Sequence, residues 1–132
     1  MNTIPQELNW VEKRAACTIG QVFNKLCNDF EGDVSAINAI RNLLDDNRFC
    51  INPVGDGSTI VIGQPSRFPR VVVKIGIVQN EIEVQDGTTR SAWRVRIGLN
   101  NEGRCTLRLN ESTELEQWQF RKKALEGLFF GV

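Results

Sequence analysis

Between Arg70 and Leu109, apolar and polar residues alternate with a period of two, the pattern of strands buried on one side only. Val71, Val73, Ile75 and Ile77 alternate with Val72, Lys74, Gly76 and Val78. A two-residue loop at Gln79-Asn80 would pair Ile77 with Ile82 and Ile75 with Val84. A loop at Gly87-Thr88, with glycine leading as in a type II′ turn, would pair Val84 with Ser91 and Ile82 with Trp93. Asn101-Glu102-Gly103 suits a type I turn closed by a left-handed glycine. It would pair Leu99 with Cys105, Ile97 with Leu107 and Val95 with Leu109.

All three turns place Val73, Ile75, Ile77, Ile82, Val84, Trp93, Val95, Ile97, Leu99, Cys105, Leu107 and Leu109 on one core face. The opposite face then carries Lys74, Glu81, Glu83, Arg94, Arg96, Arg104, Thr106 and Arg108, with Gly76 and Gly98 among them. Glu81 is expected opposite Arg94, and Arg96 opposite Arg108. Arginines beside side-chain-free glycines make this face a candidate surface for an acidic or anionic partner.

Upstream, Leu8, Val11, Ala15, Ile19, Val22, Phe23, Leu26 and Phe30 recur at helical steps. Pro5 suits the first turn of that helix. Gly20 inside it suggests close approach of a neighbouring backbone. Glu31-Gly32-Asp33 is expected to end it, with Asp33 capping a second helix marked by Val34, Ile37, Ile40 and Leu44. The acids at Asp29, Glu31 and Asp33 lack the spacing of a calcium loop and read as helix-end residues. Arg48 to Asn52 and Thr59 to Ile62 read as two short strands, with Pro53 at an edge. Gly63 to Arg70 holds two prolines and reads as an extended connection, with Phe68 between Arg67 and Arg70 either tucked under the sheet edge or exposed as a contact point.

Downstream, Thr113 with Glu116 matches a capping box. Leu115, Trp118, Lys122, Leu125 and Phe129 follow at helical spacing. Phe129 to Val132 is an apolar tail that either joins the core or meets another subunit.

The expected architecture is a single α+β domain over residues 1–132. It has two N-terminal helices, a curved antiparallel sheet of about six meandering strands, and a C-terminal helix packed on the sheet. A sheet curled around Trp118 and its helix is similar to helix-grip ligand-binding folds, which begin with a strand this chain lacks. A sheet capped by such a helix also resembles pleckstrin-homology-like barrels. No sequence motif carries either likeness.

Composition narrows the chemistry. Sixteen basic and sixteen acidic residues cancel, so no long-range field draws the chain to nucleic acid or anionic membrane. Histidine is absent, which removes the commonest general base and metal ligand. No metal, no cofactor and no catalytic constellation is expected. Aromatics fall on the core face rather than among the arginines, which disfavours single-strand nucleic-acid binding. No apolar run reaches the length of a membrane span. Met1 to Leu8 lacks the features of a signal peptide.

Cys17, Cys27, Cys50 and Cys105 show no short metal or redox spacing. Cys17 and Cys27 are expected in one helix, too far apart to bridge. Free thiols in a reducing, cytoplasmic setting are therefore the expectation.

The reading is a non-enzymatic, oligomeric interaction module. Lys74, Arg94, Arg96, Arg108, Arg67 and Phe68 are its candidate contact residues, for a protein partner or a second copy. The alternative is a small-molecule binding protein or enzyme, with a pocket between sheet and C-terminal helix lined by Trp93, Trp118 and Phe120.

Overall fold

A computed structural model describes residues 9–44, 47–67 and 70–131. The readings of Pro5, Leu8, Phe68 and Val132 lie outside the described residues.

The elements run α1 (Trp10–Ala16), α2 (Ile19–Ile40), β1 (Cys50–Val54), β2 (Thr59–Gly63), β3 (Val72–Val78), β4 (Glu81–Asp86), β5 (Ser91–Leu99), β6 (Cys105–Asn110), β7 (Thr113–Leu115) and α3 (Gln117–Phe130). The sheet is an open antiparallel meander in the order β1 to β7. Strand β5 pairs with β4 through Ser91 to Val95 and with β6 through Arg96 to Leu99. That division lets the sheet curve around the helices. The α+β class, the helix count and the meander are as the pattern implied; β7 is an added short edge strand.

One face of the sheet meets α2 and α3. The core joins Leu26, Phe30 and Val34 of α2, Val73, Ile75, Ile82, Val84, Val95 and Leu107 of the sheet, and Phe120, Leu125 and Phe129 of α3. Aromatic rings lock the layers: Phe30 to Phe120 at 6.2 Å, Trp93 to Phe120 at 5.2 Å and Phe49 to Phe129 at 4.8 Å between centroids. Asn38 adds a polar clamp. Its side chain donates to the Phe49 carbonyl at 3.0 Å and accepts from the Phe49 N–H at 2.8 Å. The turn of chain entering β1 is thereby fixed to α2.

Several local expectations are corrected. The helix does not end at Gly32; α2 runs through it, because Leu26, Phe30, Val34 and Ile37 form one buried stripe in unbroken phase. Core packing outweighs the roughly 1 kcal/mol that glycine costs in a helix. The break instead falls at Cys17-Thr18, where the extended Thr18 accepts from the Gln21 N–H. Asp33 is therefore a mid-helix residue, not a cap. Gly20 has open space around it, so no backbone approaches there. At the C-terminus, Thr113 and Leu115 belong to β7, and Glu116 with Gln119 forms the capping box of α3.

The β3–β4 pairing is as expected, with Gln79 and Asn80 both at positive φ. So is β5–β6, where Gly103 takes φ 78°. The β4–β5 pairing is not. Val84 faces Trp93 and Ile82 faces Val95, two residues from the expected register. Residues 87–90 form a four-residue turn. Asp86 accepts from both the N–H and the hydroxyl of Thr88, and Arg90 rather than Gly87 takes the left-handed conformation. A shift of two keeps every side chain on its face, so the two-face division survives. Glu83, not Glu81, lies opposite Arg94.

The cysteines are not all free. Cys17, at the α1–α2 break, is disulfide-bonded to Cys105 at the start of β6. Cys27 lies within α2, but Cys17 lies outside that helix and is bonded across 88 residues of sequence instead. Cys27 and Cys50 remain free.

Candidate functional site

The open face of the sheet gathers most of the arginines singled out above, but largely in neutralised form. Arg94 Nε donates to Glu83 at 2.9 Å, and its guanidinium lies 3.7 Å from Glu81. Arg108 faces Arg96 across the β5–β6 ladder yet turns to Glu114 at 2.7 Å. The like charges are separated by that turn. Arg96 has no ion pair among the described residues. It borders a shallow hollow of about 310 Å³ with Arg108, Thr106 and Gly98. A Cβ on Gly98 would meet nothing within 4 Å, whereas one on Gly76 would strike Thr59 Oγ1 at 2.7 Å. The first glycine leaves a gap; the second permits close strand packing. Lys74 is exposed and close enough to Glu83 to favour its ionised form.

Glu83 has its pKa lowered, first by the hydrogen bond from Gln85 and then by that from Arg94. Asp56 is lowered by the hydroxyl and N–H of Ser58 in the β1–β2 turn. Burial, helped by Glu31, pushes the Cys27 thiol up, which makes it a poor nucleophile. These three groups sit on separate elements and share no cavity.

Trp93, Trp118 and Phe120 do not line a common pocket. Phe120 is fully buried and packs edge-on against Trp93, while Trp118 is 54% exposed. Trp118 instead borders a groove on the outer side of the helical layer, between α2 and α3. Ile37, Leu125 and Phe129 form its floor, and Ile40, Trp118 and Phe130 stand at its rim. Its volume is about 430 Å³. Ile40 is 80% and Phe130 68% exposed, so three large apolar side chains face solvent around one hollow. The rim charges are paired among themselves: Asp33 with Arg121 at 2.6 Å and Lys122 with Glu126 at 3.3 Å. The apolar tail thus divides, with Phe129 in the core and Phe130 outside.

Arg67 lies apart from the sheet-face arginines, in a cleft between the end of the sheet and the C-terminal end of α3. Arg41 and Arg90 line the same cleft. Arg41 caps α2 and Arg90 sits in the β4–β5 turn, so no local pattern of the sequence points to either as a neighbour of Arg67. In the sequence the groove is foreshadowed only by Trp118 and the tail; Ile40 marks a helix there without showing which side of it is left exposed.

No known family, curated protein or solved structure matches the chain. Among the described residues no helix is long and apolar enough to cross a membrane.

Proposed function

We propose that the chain is a non-enzymatic interaction module that pairs with a second copy of itself through the α2–α3 groove. The observation that carries this reading is the exposure of Ile40, Trp118 and Phe130 around a single apolar hollow. Contiguous apolar surface of this kind marks contact sites. The rim favours a copy over a charged partner, since its two acids and two bases are already paired and present no net charge. Knobs beside a hollow suit a two-fold contact, in which each copy offers the same patch. Trp118 of one protomer would enter the hollow of the other.

The sheet face supports an acidic partner less well, because Glu83 and Glu114 already hold Arg94 and Arg108. The pair Trp10 and Val11 on α1 is also exposed, but it borders no hollow among the clefts described above. The non-enzymatic part of the reading rests on the scattering of the shifted groups. Catalytic sites usually gather them in a cleft.

Size-exclusion chromatography with light scattering tests the proposal. The wild-type chain is expected at twice its monomer mass and Ile40→Glu at the monomer mass. Ile40 is exposed at the end of α2, so the charge leaves the fold intact. A wild type that is monomeric at every concentration overturns the proposal.

A further inference from the structure

The cleft at the C-terminal end of α3 has a different chemistry. Arg41 ends α2, Arg67 lies in the β2–β3 connection, and Arg90 lies in the β4–β5 turn. Three segments far apart in sequence thus bring three guanidinium groups to one cleft of about 530 Å³. None of the three has a carboxylate partner among the described residues, unlike Arg94, Arg104, Arg108 and Arg121.

One of the three is held in place, and another stands at a strained position. The Arg41 guanidinium lies over the Phe130 ring, 5.1 Å from its centroid. Arg90 takes φ 58°, a left-handed conformation that costs a side-chain-bearing residue about 1–2 kcal/mol. Glycine or asparagine would suit that turn better, so the arginine stands there against local preference. Gly87 closes the turn onto β3: its N–H donates to the Val72 carbonyl at 3.0 Å, and a Cβ would come within 2.4 Å of that oxygen.

A cluster of arginines at a helix C-terminus has an ordinary explanation, neutralising the helix's negative end. Here the amounts differ. The end of a helix carries about half a negative charge. The buried Asp86 beneath the turn adds one more. Three guanidinium groups exceed both together by about one and a half charges. A phosphate monoester carries roughly that charge at neutral pH, about −1.5 to −2. Guanidinium forks match its oxygens two at a time. The cleft is also larger than a bare phosphate needs and falls within the range of small-molecule sites. Phe130 and Leu128 provide an apolar wall for the ester group.

We infer that this cleft binds a small phosphate monoester, with Arg41, Arg67 and Arg90 on the phosphate and Phe130 against the ester group.

Calorimetry and thermal melts on the full chain test this, with inorganic phosphate, phenyl phosphate and benzoate as probes at matched ionic strength. Phenyl phosphate is expected to bind saturably and to raise the melting temperature, inorganic phosphate to bind more weakly, and benzoate not to bind. Arg67→Gln and Arg90→Gly are each expected to weaken phenyl phosphate binding by about tenfold or more, as loss of a charge-assisted fork should. Arg90→Gly relieves the left-handed strain, so its apo melting temperature is expected to hold or rise; lost binding then reports the lost guanidinium. Trp118→Ala, which alters the groove but lies outside the cleft, is expected to bind as the wild type does, which separates this site from self-association. Absence of saturable phosphate binding overturns the inference. So does binding that survives the Arg67→Gln, Arg90→Gly double variant, or equal binding of benzoate.

Discussion

Asp33 Oδ1 accepts a hydrogen bond from Arg121 Nη1 at 2.6 Å, across the seam between α2 and α3. The pair joins residues 88 apart in sequence and is partly buried beside the apolar groove. Arg121 Nε is itself buried without a partner. The guanidinium therefore depends on Asp33. Asp33→Ala is expected to lower the unfolding free energy by about 2 kcal/mol, because it strands a partly buried cation. Arg121→Met, which removes the cation and keeps the packing, is expected to cost less than about 1 kcal/mol. Urea unfolding of the two variants measures both.

The Cys17–Cys105 bridge closes a loop of 88 residues and ties the α1–α2 break to β6. In the chain-entropy view, losing a loop of that length costs roughly 4–5 kcal/mol. Cys17→Ser with Cys105→Ser is expected to approach that loss in urea unfolding. A thiol titration of the unfolded, unreduced chain is expected to find only Cys27 and Cys50. Four reactive thiols would show the bridge absent.

Glu83 contributes to the pH dependence. Its pKa is lowered in the fold by Gln85 and by Arg94. A carboxylate whose folded pKa lies below its unfolded value stabilises the fold fully above that unfolded value. The contribution fades as pH falls through the folded pKa. Stability is therefore expected to drop as pH passes below the ordinary glutamate value of about 4.3. Glu83→Gln is expected to flatten that part of the profile, and Gln85→Ala to flatten it partly. Urea midpoints measured along an acid series check this.

Two glycines of the sheet region should answer oppositely to alanine. A Cβ on Gly87 would lie 2.4 Å from the Val72 carbonyl oxygen, a backbone atom that cannot turn aside. Gly87→Ala is expected to cost about 2 kcal/mol or more. A Cβ on Gly98 would meet nothing. Gly98→Ala is expected to be neutral or to stabilise by up to about 1 kcal/mol, through lost freedom of the unfolded strand. Thermal melts of the pair decide it.

What could be read from the chain was whatever a repeating pattern encodes. Alternation with period two placed Ile75, Val84 and Leu107 on one face, and the structure keeps them there. The β4–β5 register was legible only up to multiples of two. Face depends on parity, while the choice between turns depended on Asp86 capping Thr88. Gly32 misled because a local preference was weighed without the stripe that runs past it. Thr18 with Gln21 was the cap signal at the true break. The Cys17–Cys105 bond was illegible for the same reason as the Arg41, Arg67 and Arg90 cluster. Both are made by folding segments that share no local pattern. Phe130 and Ile40 were visible as apolar residues, but which of them the fold would leave outside depended on how α2 and α3 meet.

Fluorine NMR of the chain carrying fluorotryptophan tests self-association through the groove most directly. Trp93 packs against the core, Trp10 lies on α1 and Trp118 at the groove. Over a concentration series in which the particle mass doubles, the Trp118 resonance is expected to move while those of Trp93 and Trp10 stay in place. A stationary Trp118 resonance through that doubling, or one that moves only with Trp10, would contradict the account.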